Sequence, residues 1–309
     1  MSCIKRAIVV YHKVDYDGLF SCALVNDWLT LSNTYISWDL LGYDYSDESI
    51  PDYSEWGDTY DTLIMVDVSF PPEDMLKLRE SMEEFIYEDH HAVSIDNSIE
   101  YGYSDLYGIR TTDRSAAYNT WMDLFPDNEV PVIIKFISDL DTWKKDEYNW
   151  EEELIPFNYA FETEFGLSIA SIKTRMNSLC NMSLEDLKEK YIEKGKLIKK
   201  FVDRKFKNST NKYSFEVTVD SKYLGIAILG TDFTATIFKS VYQDYDFFLI
   251  ANRVDDTRYK ISLYGKQEES HDFSCGEYCK KFGGGGHKTA ASCIVGIDTF
   301  IKLIKDKEF

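Results

Sequence analysis

Residues 7–29 read AIVVYHKVDYDGLFSCALVNDWL, and this stretch decides the fold. Its first six residues form an apolar run that ends in polar residues, the pattern of a buried strand. From Gly18 onward the apolar residues fall at helical spacing. Between the two lies HKVDYDG, with His12, Asp15 and Asp17 at the strand end and Gly18 easing the turn into the helix. Strand, polar turn and helix make the unit of α/β proteins. In parallel sheets ligands gather outside the carboxyl ends of the strands, where this polar cluster falls.

The alternation continues downstream. TLIMVDVSF is a second buried strand carrying Asp67, and EDMLKLRESMEEF a helix introduced by Pro71 and Pro72. A third strand runs into YEDHH, which places Asp89, His90 and His91 side by side in a chain with only five histidines. DRSAAYNTWMDLF reads as a helix ending near Pro126, and VPVIIKFISDLDTW as a fourth strand whose end carries Asp139 and Asp141. The expected fold is α/β, with a mostly parallel sheet flanked by helices over residues 1–180. SLEDLKEKYIEKGKLIKKFVDRKF gives a connecting helix over 181–206, opened by a Ser183/Asp186 capping box and striped by Leu187, Tyr191, Ile198 and Phe201. Strand-like runs such as YSFEVTVD, YLGIAILG, FFLIAN and YKISLYG, then the helix CGEYCKKF, predict a smaller α+β domain over 207–309.

Composition narrows the partners. The 309 residues carry 54 acidic against 34 basic side chains, a formal charge of −20. Such a surface repels long duplex nucleic acid; a small anionic substrate needs local cations. No stretch approaches the roughly 20 apolar residues that span a bilayer, and the N-terminus has no signal-peptide pattern. The six cysteines are scattered, which fits reduced structural thiols and a cytoplasmic location.

Each acidic cluster has an ordinary explanation alone. Asp-Gly is common in turns, Asp67 could cap a helix, and Asp139 with Asp141 could cap a loop. Together these explanations weaken. Four strand ends of one sheet each carry Asp, and two also carry His. Unpaired carboxylates crowded on one edge would repel and raise their pKa values; divalent cations remove that penalty. A mixed imidazole–carboxylate set suits Mn²⁺, with Mg²⁺, Zn²⁺ or Fe²⁺ as alternatives. The ligands exceed what one ion needs and match two ions about 3.5–4 Å apart.

HKVDYDG, VD, DHH and SDLD, in this order and followed by GGGGH, resemble the DHH phosphoesterase superfamily, in the branch with the DHH-associated C-terminal domain (nano-RNase or oligoribonuclease type). The resemblance spans nearly the whole chain. It implies that His12, Asp15 and Asp67 hold one Mn²⁺, and that Asp17, Asp67, His90 and Asp139 hold a second, with Asp67 bridging. Asp139 is favoured over Asp141 because the family's fourth acid directly follows the apolar strand. It implies further that Asp89 orients His90 and that His91 faces the scissile phosphate. The C-terminal loop, Gly284, Gly285, Gly286, His287 and Lys288, would grip the far end of a short substrate. Three departures stand out: His12 and Asp15 are closer than in the typical nano-RNase motif, Ser292 replaces a glycine after Ala290-Ala291, and Tyr264 replaces an arginine.

The expectation is a two-metal phosphodiesterase that cuts short single-stranded oligonucleotides or linear dinucleotides to mononucleotides. Acting with two Mn²⁺ (or Mg²⁺), it would have no membrane partner and could form a homodimer. Rival readings are the same chemistry on cyclic nucleotide signals or 3′-phosphoadenosine nucleotides, and an inactive nucleotide-binding module.

Overall fold

The computed structural model describes residues 4–45, 47–145, 147–230, 237–238, 241–266, 272–286 and 288–308. The chain divides into two compact units, Met1–Lys199 and Lys200–Phe309.

In the first unit, β1 (Lys5–His12) leads into α1 (Tyr16–Leu31), β2 (Tyr35–Tyr43) and a short α2 (Trp56–Thr59). Then come β3 (Thr62–Val66), α3 (Pro72–Ser81), β4 (Glu84–Glu88) and α4 (Ala92–Glu100). The remaining helices are α5 (Ala116–Leu124), α6 (Val132–Asp141), α7 (Ile155–Phe165) and α8 (Ile169–Cys180). The strands form one sheet in the order β2-β1-β3-β4, every pairing parallel. Alternation along β1 explains the layering. Ala7 and Val9 turn to a core built with α1 and α5–α8, whereas Ile8 and Val10 turn to a second core with Met75 and Leu78 of α3. A sheet covered on both faces needs continuous apolar strands, which is why Thr62–Val66 is buried throughout.

One element is additional to those read from the sequence, and one differs from its reading. YISWDLLGY is an edge strand, β2, whose partly exposed residues lack the alternation of a half-buried strand. The fourth acidic run is a helix, α6: its buried residues Ile133, Ile134, Phe136 and Ile137 recur at i, i+1, i+3 and i+4, the helical period.

A helical stretch follows, α9 (Leu184–Leu187), a π-turn at Lys188–Ile192 and α10 (Glu193–Tyr213). The Ser183–Asp186 capping box is present. Leu187 and Tyr191 are buried, Ile198 is partly buried, and Phe201 is exposed.

The second unit is a mixed sheet of β5 (Phe215–Val219), β6 (Tyr223–Leu229), β7 (Phe247–Arg253) and β8 (Arg258–Gly265), then α11 (Cys275–Lys280), β9 (Gly285–Gly286), β10 (Ala290–Gly296) and α12 (Ile297–Asp306). The strand order is β5-β6-β7-β8-β10-β9, with β6 and β7 the parallel pair. Gly285 and Gly286, read from the sequence as part of a loop, therefore form an edge strand. Gly283, at φ +74°, ends α11 in the left-handed conformation that glycine tolerates best. Its N–H donates to Lys280 O and that of Gly284 to Cys279 O, the paired bonds of a Schellman cap.

Candidate metal centre

Four strand ends and one helix end deliver the site. Asp15 follows β1 and caps α1, its Oδ1 accepting from the Gly18 N–H at 2.9 Å. Gly18 is required there, since a Cβ would lie 2.1 Å from His12 O. With Oδ1 engaged in the cap, Asp15 Oδ2 sits 2.5 Å from His12 Nδ1. Asp17, in the first turn of α1, is buried; its oxygens accept from the Ala116 and Ala117 N–H groups, each at 2.8 Å, at the positive end of α5.

Asp67 follows β3 with φ +60°, a conformation unusual outside glycine. This bend sets its two oxygens toward different imidazoles. Oδ2 lies 3.6 Å from His12 Nδ1, and Oδ1 lies 3.3 Å from His90 Nε2. His90 Nε2 is also 3.6 Å from Asp17 Oδ2 and 3.1 Å from Asp141 Oδ2. Three overlapping groups result: His12, Asp15 and Asp67; Asp17, His90 and Asp141; Asp67, His90 and His91.

Asp139 lies elsewhere. Its side chain is buried with an oxygen 3.7 Å from Arg114, while Asp141 takes the place the sequence assigned to it. The helical form of α6 is the cause: residues two apart sit about 200° apart around a helix but share a face in a strand. Asp89 also differs from expectation. Its Oδ1 accepts the N–H of His90 and His91 at 2.7 and 3.1 Å, but the ring it meets is His91, with Nδ1 at 2.8 Å. Tyr87 O–H donates to Asp89 Oδ2 at 2.5 Å. His91 is thereby fixed at Nδ1 and keeps Nε2 for other work.

Sequence reasoning missed Asp44. It follows β2, and its Oδ1 lies 3.1 Å from His12 Nε2. A carboxylate on one ring nitrogen fixes the tautomer and leaves the other as a ligand. Recognising β2 would have revealed it as a fifth acid at a strand end.

The electrostatics express crowding. Burial and the charge of Asp17 hold the Asp67 carboxyl well above its usual range. Asp141 is raised to about 7 by burial and by Asp17, and Asp17 is raised by its own burial. Burial would lower His12, but the flanking carboxylates of Asp15 and Asp67 outweigh it and raise the ring to about 11. Asp89 raises His91 more than burial lowers it.

The donor set fits divalent cations. His12 Nδ1, Asp67 Oδ1 and Asp141 Oδ2 are buried without a hydrogen bond, although neighbouring ligand-type atoms approach within 2.5–3.3 Å. Atoms converging without hydrogen-bond geometry suit a shared cation, and carboxylate with imidazole suits Mn²⁺ or Mg²⁺ more than a thiolate-seeking metal.

At the glycine run, the Gly284 amide is used by the α11 cap, so it is not a free donor for an anion, contrary to expectation. Gly285 and Gly286 pair with Ser292 and Ala291. Lys288 is exposed, and His287 lies outside the described residues. The five described cysteines are free thiols, and no described helix is long and apolar enough to cross a membrane.

No family model matches the chain. A curated relative, the uncharacterized protein R106 of Acanthamoeba polyphaga mimivirus, is 25% identical over 247 residues, 74% of this chain and 52% of the relative. The chain thus spans about half the length of that relative. Among solved structures, it is similar to the pGpG-specific phosphodiesterase PggH of Vibrio cholerae, with a TM-score of 0.56, 14% identity, and coverage of 98% of this chain and 97% of that one. It is also similar to a DHH domain described as a member of the S1p family of ribosomal proteins, with a TM-score of 0.55, 14% identity, and coverage of 98% and 85%. The chain shares the fold of these two solved structures, the second of them a DHH domain.

Proposed function

We propose that this protein is a two-metal phosphodiesterase that cleaves linear dinucleotides and short oligonucleotides to mononucleotides. One observation carries the reading: Asp67, bent into the left-handed region, offers one oxygen to the His12 side and the other to the His90 side. A carboxylate so placed would offer one ligand atom to each of two cations. His12, Asp15 and Asp67 would hold one ion; Asp17, Asp67, His90 and Asp141 would hold the other. Bound ions supply positive charge for the phosphoryl oxygens and lower the pKa of water.

The chain's own groups account for the rest. His91, held at Nδ1 by Asp89, keeps its proton above the usual histidine range, so Nε2 can donate to the departing oxygen. The flanking carboxylates raise His12, and burial with the charge of Asp17 raises Asp67 and Asp141, so protons compete with metal at these groups and affinity falls with acidity. A charge of −20 disfavours long polyanions, and the solved relative with the higher TM-score has a dinucleotide as its named substrate.

The test is hydrolysis of a labelled RNA ladder from the dinucleotide upward, beside a cyclic dinucleotide and a 3′-phosphoadenosine nucleotide, with Mn²⁺, Mg²⁺ or chelator. Linear dinucleotide should yield mononucleotides with Mn²⁺ and persist with chelator. Asp67→Asn and Asp141→Asn should each lower kcat by at least about 100-fold, whereas Asp139→Asn should retain most activity. Turnover confined to the cyclic or 3′-phosphorylated compound refutes the linear-substrate reading. Binding without turnover under every metal assigns the chain to the non-catalytic alternative.

A further inference from the structure

Beside the acid–imidazole cluster lies a cleft of about 260 Å³. One edge is formed by Asp15, Asp17 and Asp141, all members of the cluster, and the other by Trp143 and Trp150, with Asn158 as a polar neighbour. The two indoles stack with centroids 5.3 Å apart and planes 23° from parallel.

Trp143 is hard to explain by packing. At 64% exposure it is the most exposed aromatic residue among the described ones, and exposing so much indole forgoes most of the burial that makes tryptophan valuable. Its backbone adds strain, with φ +57°, a conformation costly for a bulky side chain. Lys145 lies 5.2 Å from the centroid of Trp150, which places a cation next to the rings in a strongly acidic chain. An open indole, two residues beyond a cluster carboxylate, resembles the aromatic platforms on which nucleobases stack.

We infer that Trp143, backed by Trp150, is the stacking platform for the nucleobase of the nucleotide whose phosphate lies at the cluster. The inference rests on the phosphodiesterase reading and assigns it a base subsite. The cleft is smaller than a drug-sized site, so it suits one nucleoside. Stacking tolerates every base because each has a π-face, so purines and pyrimidines should both be accepted, with Asn158 adding preference through the base edge. Trp143 is a binding residue in this assignment, not part of the bond-breaking machinery.

Calorimetric titration of the full chain, with Mn²⁺ present, tests this with AMP, UMP and ribose 5-phosphate. Trp143→Ala should weaken AMP and UMP binding by about tenfold and leave ribose 5-phosphate unchanged, while Trp143→Phe should restore most of the loss. Unchanged AMP affinity overturns the platform, as does an equal loss for ribose 5-phosphate, which marks a general distortion. In turnover of a linear dinucleotide, Trp143→Ala should raise KM by about tenfold with kcat changed less than about twofold. A fall in kcat at constant KM contradicts a binding role. The binding arm needs no turnover, so an inactive wild type counts against the phosphodiesterase reading while the titration still judges the platform.

Discussion

His12 has carboxylates on both sides of its ring. Asp44 meets Nε2 at 3.1 Å, and Asp15 and Asp67 face Nδ1. An Nε2–H donated to Asp44 leaves the Nδ1 lone pair pointing into the cluster. Asp44→Ala should therefore weaken Mn²⁺ binding about 10–100-fold, whereas Asp44→Asn, which keeps an acceptor oxygen, should lose less. Calorimetry at fixed pH reads both, and equal affinities in wild type and Asp44→Ala would exclude the positioning role. At this scale His12, Asp15, Asp17, Asp67, His90 and His91 were legible as a group because His and Asp recur at apolar segment ends. Asp141 was not separable from Asp139, since their sequence context is the same SDLDTW. Only the rotation of the helix distinguishes them.

Element β4 carries a second buried acid with a different role. Glu88 Oε1 and Asp123 Oδ2 are both buried without a hydrogen-bond partner. Burial, then the charge of Asp123, raises Glu88 to about 9, so one proton joins β4 to α5. The folded pKa is above the unfolded value, so the folded state binds more protons between the two. This stability is fully present below about pH 4.5 and is lost as pH rises toward about 9. Each pH unit in that window costs at most about 1.4 kcal/mol. Glu88→Gln keeps an acceptor for the Ile109 N–H and gains an amide donor toward Asp123. Its urea midpoint should exceed that of wild type at pH 8.5, by a margin that shrinks toward pH 5. Parallel midpoints across the range would contradict the shared proton. Strand β2 was the element least legible in sequence, because an edge strand exposed on one side carries neither continuous apolar character nor clean alternation. Helix α6 was misread because a short apolar run looks alike in a buried strand and a buried helix.

For the whole molecule, a folded domain with this many buried acids is held back by its own charge until cations or protons neutralise it. Mn²⁺ at about 100 times its Kd should add about 2.7 kcal/mol, raising the melting temperature by several degrees for a unit of this size. The shift should shrink as pH falls from 7.5 to 5.5, when protons compete for Asp141, Asp67 and His12. Scanning calorimetry with Mn²⁺ or chelator at both pH values measures it; a shift that grows toward acid would contradict ligand sharing between protons and metal. The sequence by itself determined the α/β class, the order of acidic and imidazole motifs and the excess negative charge, because periodicity and composition are local properties of the chain. Tertiary structure alone decided that Asp141 and Asp44 join the cluster, that Asp139 pairs with Arg114, that Asp89 holds His91, and that Gly284 caps a helix. Each depends on the direction in which a side chain or amide leaves its element. That direction is set by strand pairing, helix rotation and a left-handed backbone at Asp67, none of which has a one-residue signature.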